Sequence, residues 1–140
     1  PSSAPTPPAA DPSLAGVRVL IVDDEPDIRQ LFRIVLEECG AEVTDTESVR
    51  ETLSIFTNNP GGYDVLVSDI GLPEEDGYML IRQIRELSPE AGGQIPAVAL
   101  TAYTGEAEEA AALAAGFQIH IGKPIEPDQL VSVVASLAGR

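Results

Sequence analysis

The chain has 140 residues and a formal charge of -15, from 8 basic against 23 acidic side chains. That is one domain with an attached tail, long enough to bury a full core, and its acidity counts against direct nucleic-acid binding and against an anionic membrane surface. No apolar run approaches the length of a membrane span, no basic-then-apolar leader opens the chain, and a lone cysteine excludes an internal disulfide and suits a reducing cytoplasm.

Residues 1–15 form a Pro-, Ala- and Ser-rich stretch without periodicity, expected to be an extended linker ahead of a domain over 16–140. The first residue is Pro1 rather than Met, which points to processing or excision from a longer polypeptide. The apolar run Val17 to Val22 predicts a strand and ends in Asp23-Asp24. Glu25-Pro26 then opens a helix, with proline where its missing N–H is harmless. Ile28, Leu31, Phe32, Val35, Leu36 and Cys39 fall on one apolar face of that helix, and Gly40 ends it. Ala41 to Asp45 reads as a short strand. Thr46 or Ser48 can cap the next helix, whose Val49, Leu53 and Phe56 share a face until Asn58-Asn59-Pro60-Gly61-Gly62 stops it.

A third apolar run, Val65 to Ser68, ends in Asp69, with Gly71-Leu72-Pro73 as a loop behind it. A helix over Gly77 to Leu87 follows, with Leu80, Ile84 and Leu87 inward, then a Gly- and Pro-containing connection over 88–96. Val98-Ala99-Leu100 leads into Thr101, and Ile119-His120-Ile121-Gly122 leads into Lys123-Pro124. Between them, from Gly105 to Ala115, lies a helical stretch of Ala and Glu with Leu113 as its sole large apolar residue: good propensity, little to bury. Glu126 to Ala138 closes the chain as a helix with Leu130, Val133, Val134 and Leu137 together. Cys39 is expected in the core, and Phe117 as a core or turn residue. Five strands alternating with five helices predict an α/β, doubly wound parallel sheet, whose ligands bind beyond the carboxyl ends of the strands.

Those ends carry Asp23, Asp24, Asp69, Thr101 and Lys123. Three carboxylates brought together repel and resist ionisation without a cation. Their hard oxygens suit Mg²⁺, which takes few carboxylates and keeps several waters. Lys123, the only lysine, adds a compact positive charge, and Thr101 a hydroxyl donor; such a set suits a metal and a phosphoryl group. The plainer alternatives are helix capping for Asp23-Asp24, a loop acid for Asp69, a surface ammonium for Lys123 and a strand-end hydroxyl for Thr101.

Val22-Asp23-Asp24-Glu25-Pro26, Asp69-Ile70-Gly71-Leu72-Pro73 with Asp76-Gly77, Leu100-Thr101-Ala102 and Lys123-Pro124, in this order and spacing, resemble a response-regulator receiver domain over about Val17 to Leu137. The resemblance implies a flavodoxin-like (βα)5 fold with strand order 2-1-3-4-5. It implies Asp69 as the phosphoacceptor, taking a phosphoryl group from a histidine kinase or a histidine phosphotransfer domain. It further implies Asp24 and Asp69 as direct Mg²⁺ ligands, Asp23 through water, and the Gly71 carbonyl as a fourth contributor. Thr101 and Lys123 would hold the phosphoryl oxygens, and a cis bond before Pro124 would aim the lysine. By the same resemblance the domain is not an enzyme in isolation beyond assisting its own phosphorylation and dephosphorylation.

His120 departs from the pattern, since the family usually carries Tyr or Phe there as a switch residue that swings inward with the threonine. A solvated edge-strand histidine is the plain alternative. Gly71 and Tyr103 sit where the family tunes phosphoryl lifetime, with opposing expected effects. The sparse helix over 105–115, with the last strand and helix, is the expected moving surface. The chain stops just after the last predicted helix. The segment from Ala97 through Pro127 is especially similar to receivers at the carboxyl end of hybrid sensor histidine kinases, the expected origin ahead of a free single-domain regulator, in the cytoplasm. Two other readings stay open: a haloacid-dehalogenase-type phosphatase, which would need an Asp-x-Asp that is absent, and a receiver fold used only for docking.

Overall fold

The computed structural model describes residues 14–72, 76–102 and 105–139. Most of the expected linker, and Pro73, Tyr103 and Thr104, lie outside the described residues. Five strands alternate with five helices: β1 Arg18–Val22, α1 Pro26–Glu38, β2 Glu42–Thr46, α2 Val49–Asn58, β3 Val65–Asp69, α3 Gly77–Arg85, β4 Ala97–Thr101, α4 Glu106–Ala115, β5 Ile119–Gly122 and α5 Pro127–Leu137. All pairings are parallel and the sheet order is β2-β1-β3-β4-β5. This is the doubly wound, flavodoxin-like arrangement that the alternation of elements predicts.

Successive strand residues point to opposite faces, and the core divides accordingly. Val19, Ile21, Val65, Val67, Val98 and Leu100 pack under Phe32 and Leu36 of α1 and Leu130 and Val134 of α5. Leu20, Val22, Leu66, Ala97 and Ala99 pack on the other face under Val49, Phe56, Leu80, Ile81 and Ile84, with Ala112 and Ala115 from α4. Strands buried on both faces read as unbroken apolar runs, which is why β1, β3 and β4 were legible.

Several details differ from expectation. Leu14, read as linker, is fully buried and donates its N–H to the Cys39 carbonyl, so the packed core starts two residues before residue 16. Leu31 is 45% exposed, because the apolar stripe of α1 is wider than its contact with the sheet. α3 stops at Arg85, which leaves the half-buried Leu87 beyond it, and a short 3₁₀ turn, Pro89–Ala91, follows. Val133 and Leu137 are only half-buried. Ser48 caps α2 by accepting from Glu51 N–H, while Thr46 belongs to β2. Leu113 is 48% exposed, so α4 buries alanines alone.

Candidate functional site

The carboxyl ends of β1, β3, β4 and β5 meet along one edge of the sheet. Asp23 directly follows β1, Asp69 ends β3, Thr101 ends β4 and Lys123 directly follows β5. Parallel pairing sets Asp69 beside Leu100 and Thr101 beside Gly122, and the Lys123 N–H bonds to the Thr101 carbonyl at 2.7 Å. Asp23, Asp24 and Asp69 each offer one carboxylate oxygen, and the three oxygens lie within 4.8 Å of one another. Lys123 Nζ stands 3.0 Å from Asp69 Oδ2 and 3.6 Å from Asp23 Oδ2. Asp24, Asp69, Thr101 and Lys123, with Glu25, Ile70, Gly71 and Ala102, line a cleft of about 230 Å³. A hollow of about 510 Å³ at the opposite end of the sheet is larger, but there the Arg18 and Asp64 side chains already bond to each other.

Asp23 is 1% exposed and held at several points. Its N–H donates to the Thr46 carbonyl at 3.1 Å, its carbonyl accepts from Arg29 Nη1 at 2.8 Å, and its Oδ1 accepts from the Glu25 N–H at 2.9 Å. Oδ2 alone is buried without a hydrogen-bond partner. Burial raises the Asp23 pKa above its ordinary value, and the negative charges of Asp69 and Asp24 add to this against the opposing pull of Glu25 N–H and Lys123. Burial acts on Lys123 in the opposite sense. Its hydrogen bond to Asp69 and the charges of Asp23, Asp69 and Glu25 outweigh that, and its pKa stands above the ordinary lysine value.

Asp69 is also buried; besides Lys123 it accepts from the Gly71 N–H at 3.2 Å through Oδ1. Behind it, α3 begins in close contact: the Gly77 N–H bonds to the Ile70 carbonyl, and a Cβ at residue 77 would lie 2.6 Å from the Asp69 carbonyl oxygen. Glycine is needed at residue 77 because backbone approaches backbone there. At Gly71 an added Cβ would meet nothing within 4 Å. Asp24 is exposed beside the cleft, Thr101 is buried, and the Lys123-Pro124 peptide bond is cis.

His120 stands on the edge strand β5, opposite Ala99, and does not line the cleft. Its neighbours Ile119 and Ile121 pack toward α1 and α5, so the alternation of the strand turns His120 toward the α4 side. Its Nε2 is enclosed without a hydrogen-bond partner, unlike a fully solvated edge histidine. Sequence reasoning missed Arg29 and Asp45, which reach the site from behind; the available signal was an arginine in the first turn of a helix that follows two acids.

A family model described as the response regulator receiver domain matches residues 19–135. The chain belongs to the receiver family. The receiver is 43% identical over 122 residues to an uncharacterized 14.6 kDa protein from the sodA1 3' region of Leptolyngbya boryana, covering 87% of this chain and 90% of that one. It is 34% identical to the response regulator SaeR of Staphylococcus aureus, again over 87% of this chain but only 50% of SaeR. Among solved structures, a putative response regulator from Chloroflexus aurantiacus superposes with a TM-score of 0.79 at 31% identity, over 89% of this chain and 98% of the other. The receiver domain of a signal transduction histidine kinase from Syntrophus aciditrophicus does so at 0.78 and 27% identity, over 89% and 91%. Membership sets aside the dehalogenase-type reading and is consistent with two-component signalling. Among the described residues no helix is long and apolar enough to cross a membrane.

Proposed function

We propose that this receiver is a phosphorelay acceptor in which Asp69 takes a phosphoryl group from a phosphohistidine, with Mg²⁺ bound by the acid cluster. The observation that carries the reading is the buried Asp23 Oδ2, without a hydrogen-bond partner, beside Asp24, Asp69 and the Lys123 ammonium. Buried polar atoms of folded proteins are nearly always partnered, so a buried carboxylate oxygen without a hydrogen bond, on an acid clustered with two others, fits a divalent cation, directly or through water. Asp24, Asp69 and the Gly71 carbonyl complete a set of hard oxygen donors. When bound, such a cation supplies positive charge against the acids and against an incoming phosphoryl group.

The chain's own groups do the rest. An Asp69 carboxylate oxygen attacks phosphorus, a P–O bond forms, and the donor's P–N bond breaks with its electron pair passing to the imidazole nitrogen. Lys123, already within 3.0 Å of Asp69, turns from the carboxylate to a phosphoryl oxygen. Thr101, held one strand away, donates its hydroxyl to another. That movement draws on the loop after β4 and biases α4, β5 and α5, with His120 as the neighbouring switch side chain. The partner is a histidine-bearing helix bundle, of a kinase or a phosphotransfer domain. Similarity to the receiver of the Syntrophus histidine kinase favours a place in a kinase chain, and a hybrid kinase in the cytoplasm is the origin we propose.

Incubation with Mg²⁺ and a small phosphodonor, followed by intact mass, tests the reading. The parent gains one phosphoryl group and Asp69→Asn gains none. Equal gain in both overturns Asp69 as the nucleophile. No gain in the parent, with phosphohistidine protein as well as small donor, leaves the docking-only receiver.

A further inference from the structure

Family membership and the phosphoacceptor reading give Arg29 no role, yet it is tied to both sides of the acid pair's backbone support. It lies in the first turn of α1, its N–H bonded to the Glu25 carbonyl at 3.1 Å. Helical side chains lean toward the amino end, so the Arg29 side chain runs back over the connection that carries Asp23 and Asp24. Its Nη1 donates to the Asp23 carbonyl at 2.8 Å and its Nε to Asp45 Oδ2 at 3.2 Å. Asp45 is itself fixed: its Oδ1 accepts from Arg33 Nη1 at 2.6 Å, and Arg33 Nε is held by Glu37 at 3.1 Å.

The Asp23 carbonyl belongs to the rigid, planar peptide unit that joins Asp23 to Asp24. Fixing the direction of that carbonyl fixes the rotation of the plane, and with it the direction in which each acid leaves the backbone. The Asp23 N–H is pinned separately by Thr46 at the end of β2. The two peptide planes that flank Asp23 are thereby clamped from β2, the one before it through the Thr46 backbone and the one after it through the Asp45–Arg29 pair.

We propose that Arg29, anchored by Asp45, is a positioning residue that sets the Asp23-Asp24 peptide plane and so preorganises the acid cluster for a divalent cation. The inference rests on the metal reading of the preceding section. Its sign is diagnostic. A guanidinium near the cluster repels a cation, so loss of the charge alone would tighten Mg²⁺ binding. Loss of the peptide clamp would weaken it.

Calorimetric titration of the whole chain with Mg²⁺ separates the two, beside amide shifts of residues 23–25 in the metal-free protein. Arg29→Gln should weaken Mg²⁺ binding by about tenfold, the usual scale for groups that orient metal ligands. Arg29→Lys should weaken it by a similar factor, because one ammonium cannot serve two acceptors held in a fork. Arg33→Gln, which touches Asp45 but not Asp23, should stay within about twofold of the parent. Mg²⁺ binding by Arg29→Gln as tight as the parent's, or full rescue by lysine, overturns the proposal. If Arg29→Gln does not fold, Arg29→Lys, which keeps the charge, decides: weaker binding supports the clamp, and parent-like affinity in that folded variant overturns it. A parent that binds no Mg²⁺ overturns the metal reading and this inference with it, whereas a binding parent matched by Arg29→Gln overturns this inference alone.

Discussion

The two helices that flank the acid cluster are held in opposite ways. α1 buries Phe32 and Leu36 against the sheet and sends Arg29 and Arg33 to Asp45 on β2. α4 buries Ala112 and Ala115, and turns its one large apolar side chain, Leu113, toward solvent. Asp23 and Asp24 thus hang from the firm flank, and Thr101 ends the strand that leads into the light one. A receiver needs both: ligands whose places do not depend on the signal, and a surface that small forces can shift. The contrast is the one that the proposed function calls for, with binding on one side of the site and response on the other.

The strongest way to break this comparison is to truncate the firm flank. Phe32→Ala should cost about 3–5 kcal/mol, as removal of a buried aromatic does. Urea unfolding measures it, and a loss no larger than that from a matching change in α4 would mean that the flanks are alike. The next effect has the opposite sign. Asp23→Asn should stabilise the metal-free protein, because it removes a buried negative charge that burial and the neighbouring acids disfavour. The sign follows from the raised folded pKa: the charged form is the disfavoured one, so its cost grows as pH rises through that pKa. The advantage of asparagine should be full above the raised folded pKa and vanish as pH falls below the ordinary carboxylate value of 3.8. Stabilisation by Mg²⁺ should shrink in the same variant.

Lys123 joins the two flanks, since it follows β5 and reaches the acids of β1 and β3. Its folded pKa is raised, so its contribution is complete below the ordinary lysine value of 10.5 and is lost as pH rises through the folded value. Lys123→Met should therefore melt below the parent at pH 7, by about 1–2 kcal/mol for a charge-assisted bond. The two should converge at the alkaline end of a pH series. A gap that stays constant with pH would show that the stem of Lys123, not its charge, is what matters.

How much of this was legible depended on whether a residue's role is local. The strands were readable because β1, β3 and β4 are covered on both faces, and the site because its members follow strand ends directly. Leu31 was misplaced because periodicity gives a face and not its width: the sheet contact of α1 is narrower than its apolar stripe, whereas the sparse α4 meets its neighbours through alanines, as its composition predicts. Leu14 looked like linker because one apolar residue has no period. Arg29 carried a local signal in its place just after two acids, but its pairing with Asp45 depends on β2 lying beside β1, a fact of sheet order rather than spacing.

The smallest expected effect sharpens the comparison most. Leu113→Ala should change stability by less than about 0.5 kcal/mol, the range for surface positions away from special contacts. A leucine truncated in a packed helix would cost about 2–5 kcal/mol, so the measurement separates the two environments cleanly. Amide exchange gives the same contrast without mutation. The α4 amides should exchange faster than those of α1 in the resting protein, because opening α4 uncovers little apolar area. A phosphoryl analogue should then alter exchange in α4 and leave α1 near its resting rate. Equal change in both helices would mean that the whole edge of the sheet moves as one body, and the division between binding and response would fail.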